Sequence, residues 1–435
     1  MAKSKVNTTE NLLIVFFMAI LAMLILSLPI EEGIGFVSFL GILIITLIIG
    51  AKNPSIKVAL IIAFIVRFTL ALIQFYAFPL PDSTTDAVTF EKVAWYMASQ
   101  GILTKFFNFD RYIYSWIISI FYSLFGVRSP LFMQSVNVLL GILIVFNVYK
   151  TTKILYNDER VSSIAALITS IYPTLALYSA ITRREAFFTY FASAGIIFFV
   201  KWLNNNNIST FLLAIILFLF SSLFHTAGFF LIISAFLILL FEMFKFLKKM
   251  KLPMKRITLV FLGIFVIVFA LTTGVGLYKI TDLLNAEDTV EALITKQIAY
   301  QSGRAAFPAF LVQDSLIGMI LVLPIRFLYF VFSPFVWDVS AAADIFGLID
   351  ALILIILFWN IFKFKRYDQN KDVVKIMTCF LILTLLATSL GVNNMGAAIR
   401  HRAKFVPIII SLASYNLFYN SKLFRFIRSI FITNG

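Results

Sequence analysis

Long apolar runs separated by short polar connectors dominate the chain. A helix needs about 20 predominantly apolar residues to cross a bilayer. Runs of that kind occur near 11–30, 34–50, 57–79, 131–150, 161–179, 187–203, 208–224, 227–244, 257–277, 344–362, 373–391 and 403–419. Two further segments fit less well. Residues 112–127 are short and follow a polar loop, and 314–336 are interrupted by Pro324, Arg326 and Pro334. The pattern predicts an all-α polytopic membrane protein of about 12 transmembrane helices, with interfacial or re-entrant helices added. It forms one membrane domain, residues 1–435. Residues 80–128 are expected as an outer loop with interfacial helices, and 278–342 as a second long outer loop with an interfacial hairpin. No fixed-period repeat is visible.

Loop charge sets the orientation, because Lys and Arg collect on the cytoplasmic side. Lys3, Lys5, Lys52, Lys57, Lys150, Lys153 and Arg160 are expected inside, with the run Lys245 to Arg256, Lys363 to Lys375 and Lys422 to Arg428. These assignments agree only if 112–127 and 314–336 each fail to make a net crossing. Both termini are then cytoplasmic. The basic, then apolar, N-terminal segment has no small-residue cleavage site and is expected to remain as the first span.

Composition fits this picture. The 435 residues are 61% hydrophobic and 13% charged, with a mean hydropathy of +0.98. Soluble domains carry roughly a quarter charged residues. The net charge of +15 follows from inner-loop lysines and arginines, so nucleic acid is excluded as a partner. One cysteine, Cys379, excludes disulfides and Cys-based metal sites, and it reads as a small buried hydrophobe. Two histidines, His225 and His401, cannot make a His-rich metal centre.

The outer face receives a different charge pattern, mixed in sign. Asp82, Asp86 and Glu91 lie in the first long loop, where Asp82 or Ser83 is expected to cap a helix carrying Val88, Trp95 and Tyr96. Asp86 is either an ordinary solvated carboxylate at a helix start or a general base for an acceptor hydroxyl. Arg183-Arg184-Glu185 sits between two spans, as snorkelling anchors or as a phosphate site in which Glu185 orients an arginine or acts as a second base. Arg400-His401-Arg402 follows the polar stretch Asn393 to Gly396 and suits a diphosphate. His225, beside Thr226-Ala227-Gly228, is either a hydrogen-bonded structural residue or part of the chemistry. Arg304 and Arg326 complete the candidates.

The order of these features resembles bacterial GT-C-type membrane glycosyltransferases that use polyprenyl-linked sugars. An early outer loop with acidic residues (Asp82, Asp86) is followed by interfacial segments at Glu91 to Gly101 and Tyr112 to Gly126. A basic inner turn comes next at Lys150 to Arg160, then a further outer acidic group, Glu185. The section from Arg183 through His225-Thr226-Ala227 is similar to EpsG and O-antigen-polymerase proteins, and Asn394 to Arg402 to arginine-containing outer loops of surface-polysaccharide enzymes. The first loop has no adjacent Asp-Asp or Asp-x-Asp pair.

The resemblance implies a glycosyltransferase at the non-cytoplasmic face of a bacterial inner membrane, building O-antigen, capsule or exopolysaccharide. It adds single sugars or polymerises repeat units. Arg183, Arg184, Arg400, His401 and Arg402 would hold the lipid phosphate, and Asp86 or Glu185 would accept the hydroxyl proton. The substrate is a lipid-linked glycan, with no cofactor or metal, and with membrane lipids and other polysaccharide-assembly proteins as partners. The rival class is a polysaccharide or lipid transporter or flippase, for which only Arg67 and Asp350 offer mid-span charges.

Overall fold

A computed structural model describes residues 23, 27–101, 112–247, 305–313, 315–363 and 370–420. The expected spans 11–30 and 257–277, and Arg304, fall wholly or mostly outside these residues. Fifteen α-helices are described: α1 (Ile30–Lys52), α2 (Lys57–Leu72), α3 (Asp86–Ser99), α4 (Ile113–Phe125), α5 (Pro130–Tyr156), α6 (Glu159–Ile171), α7 (Pro173–Tyr178), α8 (Glu185–Asn205), α9 (Ile208–Phe224), α10 (Ala227–Leu247), α11 (Leu316–Phe332), α12 (Ala342–Phe362), α13 (Lys371–Ser389), α14 (Met395–Ala403) and α15 (Val406–Asn420). Among the described residues, six segments are long and apolar enough to cross a membrane, and several shorter apolar helices accompany them. The protein is an all-α, multi-pass membrane protein.

α5 organises the bundle. It packs against α1, α2, α6, α8 and α15, while α8 pairs with α9 and α10 with α13. Leu131, Met133, Val138, Ile142, Val145 and Val148 on α5 are all buried, as are Asn137 and Asn147. A helix apolar on most of its circumference and buried on several faces belongs at the centre of such a bundle.

Three sequence expectations change. The segment 161–179 is not one helix: Tyr172 is extended ahead of Pro173, which begins α7. Proline lacks the N–H that would bond Thr169, and it pushes the preceding residue out of the α region. Arg67, fully buried on α2, meets the break: its Nε donates to Ser179 Oγ (2.8 Å), and its Nη atoms donate to the carbonyls of Ser170 (2.8 Å) and Thr169 (3.4 Å). A side chain at Gly141 would collide with this arrangement, since an added Cβ lies 2.5 Å from Arg67 Nε and 2.6 Å from Ser179 Oγ. The second change is at Pro324, where α11 runs through without the expected break; the chain turns at Ser333 instead. The third is Cys379, which is exposed on α13 rather than buried.

Contacts divide the polar residues between two ends of the bundle. At one end Ser55, Tyr149 and Lys153 converge on Glu159, and Tyr419 donates to Asp158 (2.6 Å). At the other end residues 82, 86, 183, 185 and 400 meet.

Candidate active site

Asp86 is the first residue of α3, where a carboxylate is favoured by the helix dipole. Thr85 occupies the cap position and makes no side-chain capping bond, so neither Asp82 nor Ser83 starts the helix as expected. Ser83 instead donates to the Leu80 carbonyl. The Asp86 side chain is half exposed. Its Oδ2 accepts from Arg183 Nη2 at 2.7 Å and from Arg400 Nη1 at 3.1 Å. Both arginines thus share one oxygen, and no hydrogen bond is made to Oδ1 by any described residue.

Arg183 is held on all sides. It is buried, its Nη1 donates to the Asp82 carbonyl, and its Nε lies 3.4 Å from Glu185 Oε2. Burial opposes its charge, but Glu185, Asp82 and Asp86 together push its pKa above the usual guanidinium value. Its main chain is fixed by Asn137 of α5, whose amide donates to the carbonyls of Ile181 (2.6 Å) and Arg183 (2.9 Å). Asp82 has φ 63°, a left-handed conformation that Asp tolerates. Its carboxylate accepts from Tyr178 at 2.9 Å.

Glu185 is almost wholly buried between the two arginines, 3.8 Å from Arg400 Nε on one side. Its Oε2, Arg183 Nε and Arg400 Nε are buried without hydrogen-bond partners among the described residues, so the three groups interact as charges. Among the described residues Lys404 borders the small cavity next to Glu185. Lys404 Nζ also lies 2.9 Å from His401 Nδ1 and faces the Phe188 ring.

The remaining candidates are placed elsewhere. Arg402 is a correction. On α14 it stands two residues, about 200° around the axis, from Arg400. Its five N–H bonds go to Asp350 Oδ2, twice, and to the carbonyls of Val331, Ser333 and Gly347. Fully buried and saturated, it has no donor left for a phosphate. Arg326 likewise donates to the carbonyls of Leu311, Ser389, Leu390 and Val392, capping the end of α13. Glu91 receives Arg128 and Tyr122, tying α3 to the ends of α4 and α5. Arg184 lies over the Phe90 ring, 5.1 Å from its centroid. His225 and His401 pack against each other with ring centroids 4.5 Å apart and planes tilted by 49°, and His225 Nδ1 accepts from the Ala227 N–H. No group of three His, Cys, Asp or Glu side chains among the described residues is arranged to hold a metal.

Sequence reading missed Asn137, Tyr178, Arg128 and Lys404. Asn137 carried a usable signal, since an amide within an otherwise apolar span must find partners.

Residues 112–272 match the family model described as dolichyl-phosphate-mannose-protein mannosyltransferase. The resemblance is to GT-C-type membrane glycosyltransferases. The matched stretch begins at α4 and takes in α5 through α10, thus Asn137, Arg183 and Glu185, but less than half of the chain. Among solved structures, the apo oligosaccharyltransferase of Archaeoglobus fulgidus is similar at 14% identity and a TM-score of 0.48, over 87% of this chain and 52% of that one. This chain therefore spans about half the length of that enzyme. No curated protein matches it.

Proposed function

We propose that this protein is a membrane glycosyltransferase acting on polyprenyl-(di)phosphate-linked sugars, at the non-cytoplasmic face of a bacterial inner membrane with both termini cytoplasmic. The family match over 112–272 supports the reaction class. The observation that carries the reading is the half-exposed Asp86 carboxylate, bound by two arginines through one oxygen, with no described residue hydrogen-bonded to the other.

An acceptor hydroxyl meets Asp86 Oδ1. As its oxygen bonds to the anomeric carbon, its proton passes to that carboxylate. The bond from the anomeric carbon to the lipid phosphate breaks, and the electron pair leaves with the phosphate. Arg400, partly exposed and with no hydrogen bond from its Nη2 to any described residue, is the guanidinium placed to receive that charge. Fixed cations aimed at developing charge contribute several kcal/mol in a site shielded from water. Glu185, expected as a possible second base, is buried between cations and serves to space Arg183 and Arg400.

The product is surface polysaccharide such as O-antigen, capsule or exopolysaccharide, made alongside other assembly proteins, by single-sugar addition or by joining repeat units. Glycans of a deletion strain test this. Accumulated short lipid-linked units indicate polymerisation, and a missing side sugar indicates single addition. Unchanged surface and lipid-linked glycans would end the proposal. Transport finds no support in Arg67 and Asp350, because both are engaged in bonds within the bundle.

A further inference from the structure

The two arginines on Asp86 are not equivalent. Arg183 is buried, with Nη1 on the Asp82 carbonyl, Nη2 on Asp86, Nε beside Glu185 and its backbone held by Asn137. It cannot leave Asp86 without dismantling the loop. Arg400 is more exposed, its bond to Asp86 is longer at 3.1 Å, and its Nε faces Glu185 without a hydrogen bond. Glu185 offers it a second seat, so its charge stays compensated if the Asp86 contact is released. The carboxylate that must take a proton and the cation that must take a phosphate therefore occupy each other in this structure.

We propose that Arg400 is exchanged between Asp86 and the donor's phosphate, so that lipid-phosphate binding withdraws one of the two guanidiniums from the base. Asp86 is then left with Arg183 alone, and its lone pairs become more available when a donor is in place. A site organised this way holds its base in check until donor arrives. The inference rests on the proposed assignment of these two residues.

The exchange makes a prediction opposite to ordinary loss of a site residue. Asp86 competes with phosphate for Arg400, so removing its charge should tighten phosphate binding, and should do so through Arg400. The test is a double-mutant cycle on binding of a short polyprenyl monophosphate without sugar to the purified full chain, with the matching polyprenol as control. Asp86→Asn should tighten binding of the phosphate about tenfold in the wild-type background and leave it unchanged in Arg400→Gln. Polyprenol binding should be the same in all four proteins. Equal tightening in both backgrounds would reduce the effect to simple charge repulsion and overturn the exchange, as would weaker binding by Asp86→Asn. Absence of any phosphate preference in the wild type would remove the phosphate site itself, a distinct failure. If Arg400→Gln cannot be recovered folded, Arg400→Met, which keeps the apolar stem, takes its place with the same expectation.

Discussion

Asp350 and Arg402 meet at 2.7 Å inside the helix bundle, both without solvent exposure. Thr174 donates to the other Asp350 oxygen, so the pair joins α7, α12 and α14. Removing one partner of a buried ion pair leaves an uncompensated charge and typically costs about 3–5 kcal/mol. Arg402→Ala and Asp350→Ala should each lower the unfolding temperature in detergent strongly. Arg400→Ala, at a partly exposed position, should lower it little. Equal effects of Arg400→Ala and Arg402→Ala on stability would contradict the division of labour between them.

For activity, the ranking concerns two aspartates four residues apart. Asp86→Asn should abolish transfer, because an amide cannot accept the hydroxyl proton. Asp82→Asn should lose less, since the Asp82 carbonyl, not its carboxylate, holds Arg183. Transfer assayed in vesicles with a lipid-linked sugar donor gives the comparison, and equal activity of the two variants would refute the assignment of Asp86.

Gly141 leaves the space in which Arg67 reaches the α6–α7 break. Gly141→Val should displace Arg67 or Ser179 and uncap the carbonyls freed by Pro173. A loss of about 2–4 kcal/mol is expected from combined overpacking and unsatisfied polar groups. Gly41, with open space around its position, supplies the control. Gly41→Ala should be nearly silent in the same thermal assay.

At the opposite end of the bundle, Glu159 gives a pH dependence. Burial pushes its carboxyl up, but Lys153, Ser55 and Tyr149 outweigh this and hold it at about 2, against an ordinary 4.5. A carboxylate whose pKa is lower in the folded state stabilises that state above its unfolded value. The contribution of Glu159 should therefore be complete above about pH 4.5 and fade as pH falls toward about 2. Melting curves of wild type and Glu159→Gln should converge over that interval. A gap that stays constant down to pH 2 would rule the carboxylate out as its source.

Most helices were readable from the sequence because bilayer length and apolar composition leave few alternatives. Residues 34–50, 187–203 and 344–362 fall within α1, α8 and α12. Proline misled twice, and in opposite directions. Pro173 breaks a run that hydropathy reads as continuous, whereas Pro324 sits inside an intact helix. Hydropathy does not register whether a neighbour such as Arg67 can satisfy the freed carbonyls. The clustering of Asp82, Asp86, Arg183, Glu185 and Arg400 was legible as charge gathered on one side. The separation of Arg400 from Arg402 was not, because adjacent charges look like one cluster until they are wound onto a helix.

The bridge between Ala306 and Asn394 has a mechanical meaning. Phe307 N–H bonds the Asn393 carbonyl, Met395 N–H bonds the Ala305 carbonyl, and the Asn394 side chain caps α14 by accepting from Gly396. The same residue thus anchors a distant strand of chain and sets the angular phase of the helix bearing Arg400. The start of α14 is therefore fixed from both sides, by its own cap and by the bridge, and with it the directions in which Arg400 and Arg402 leave the helix.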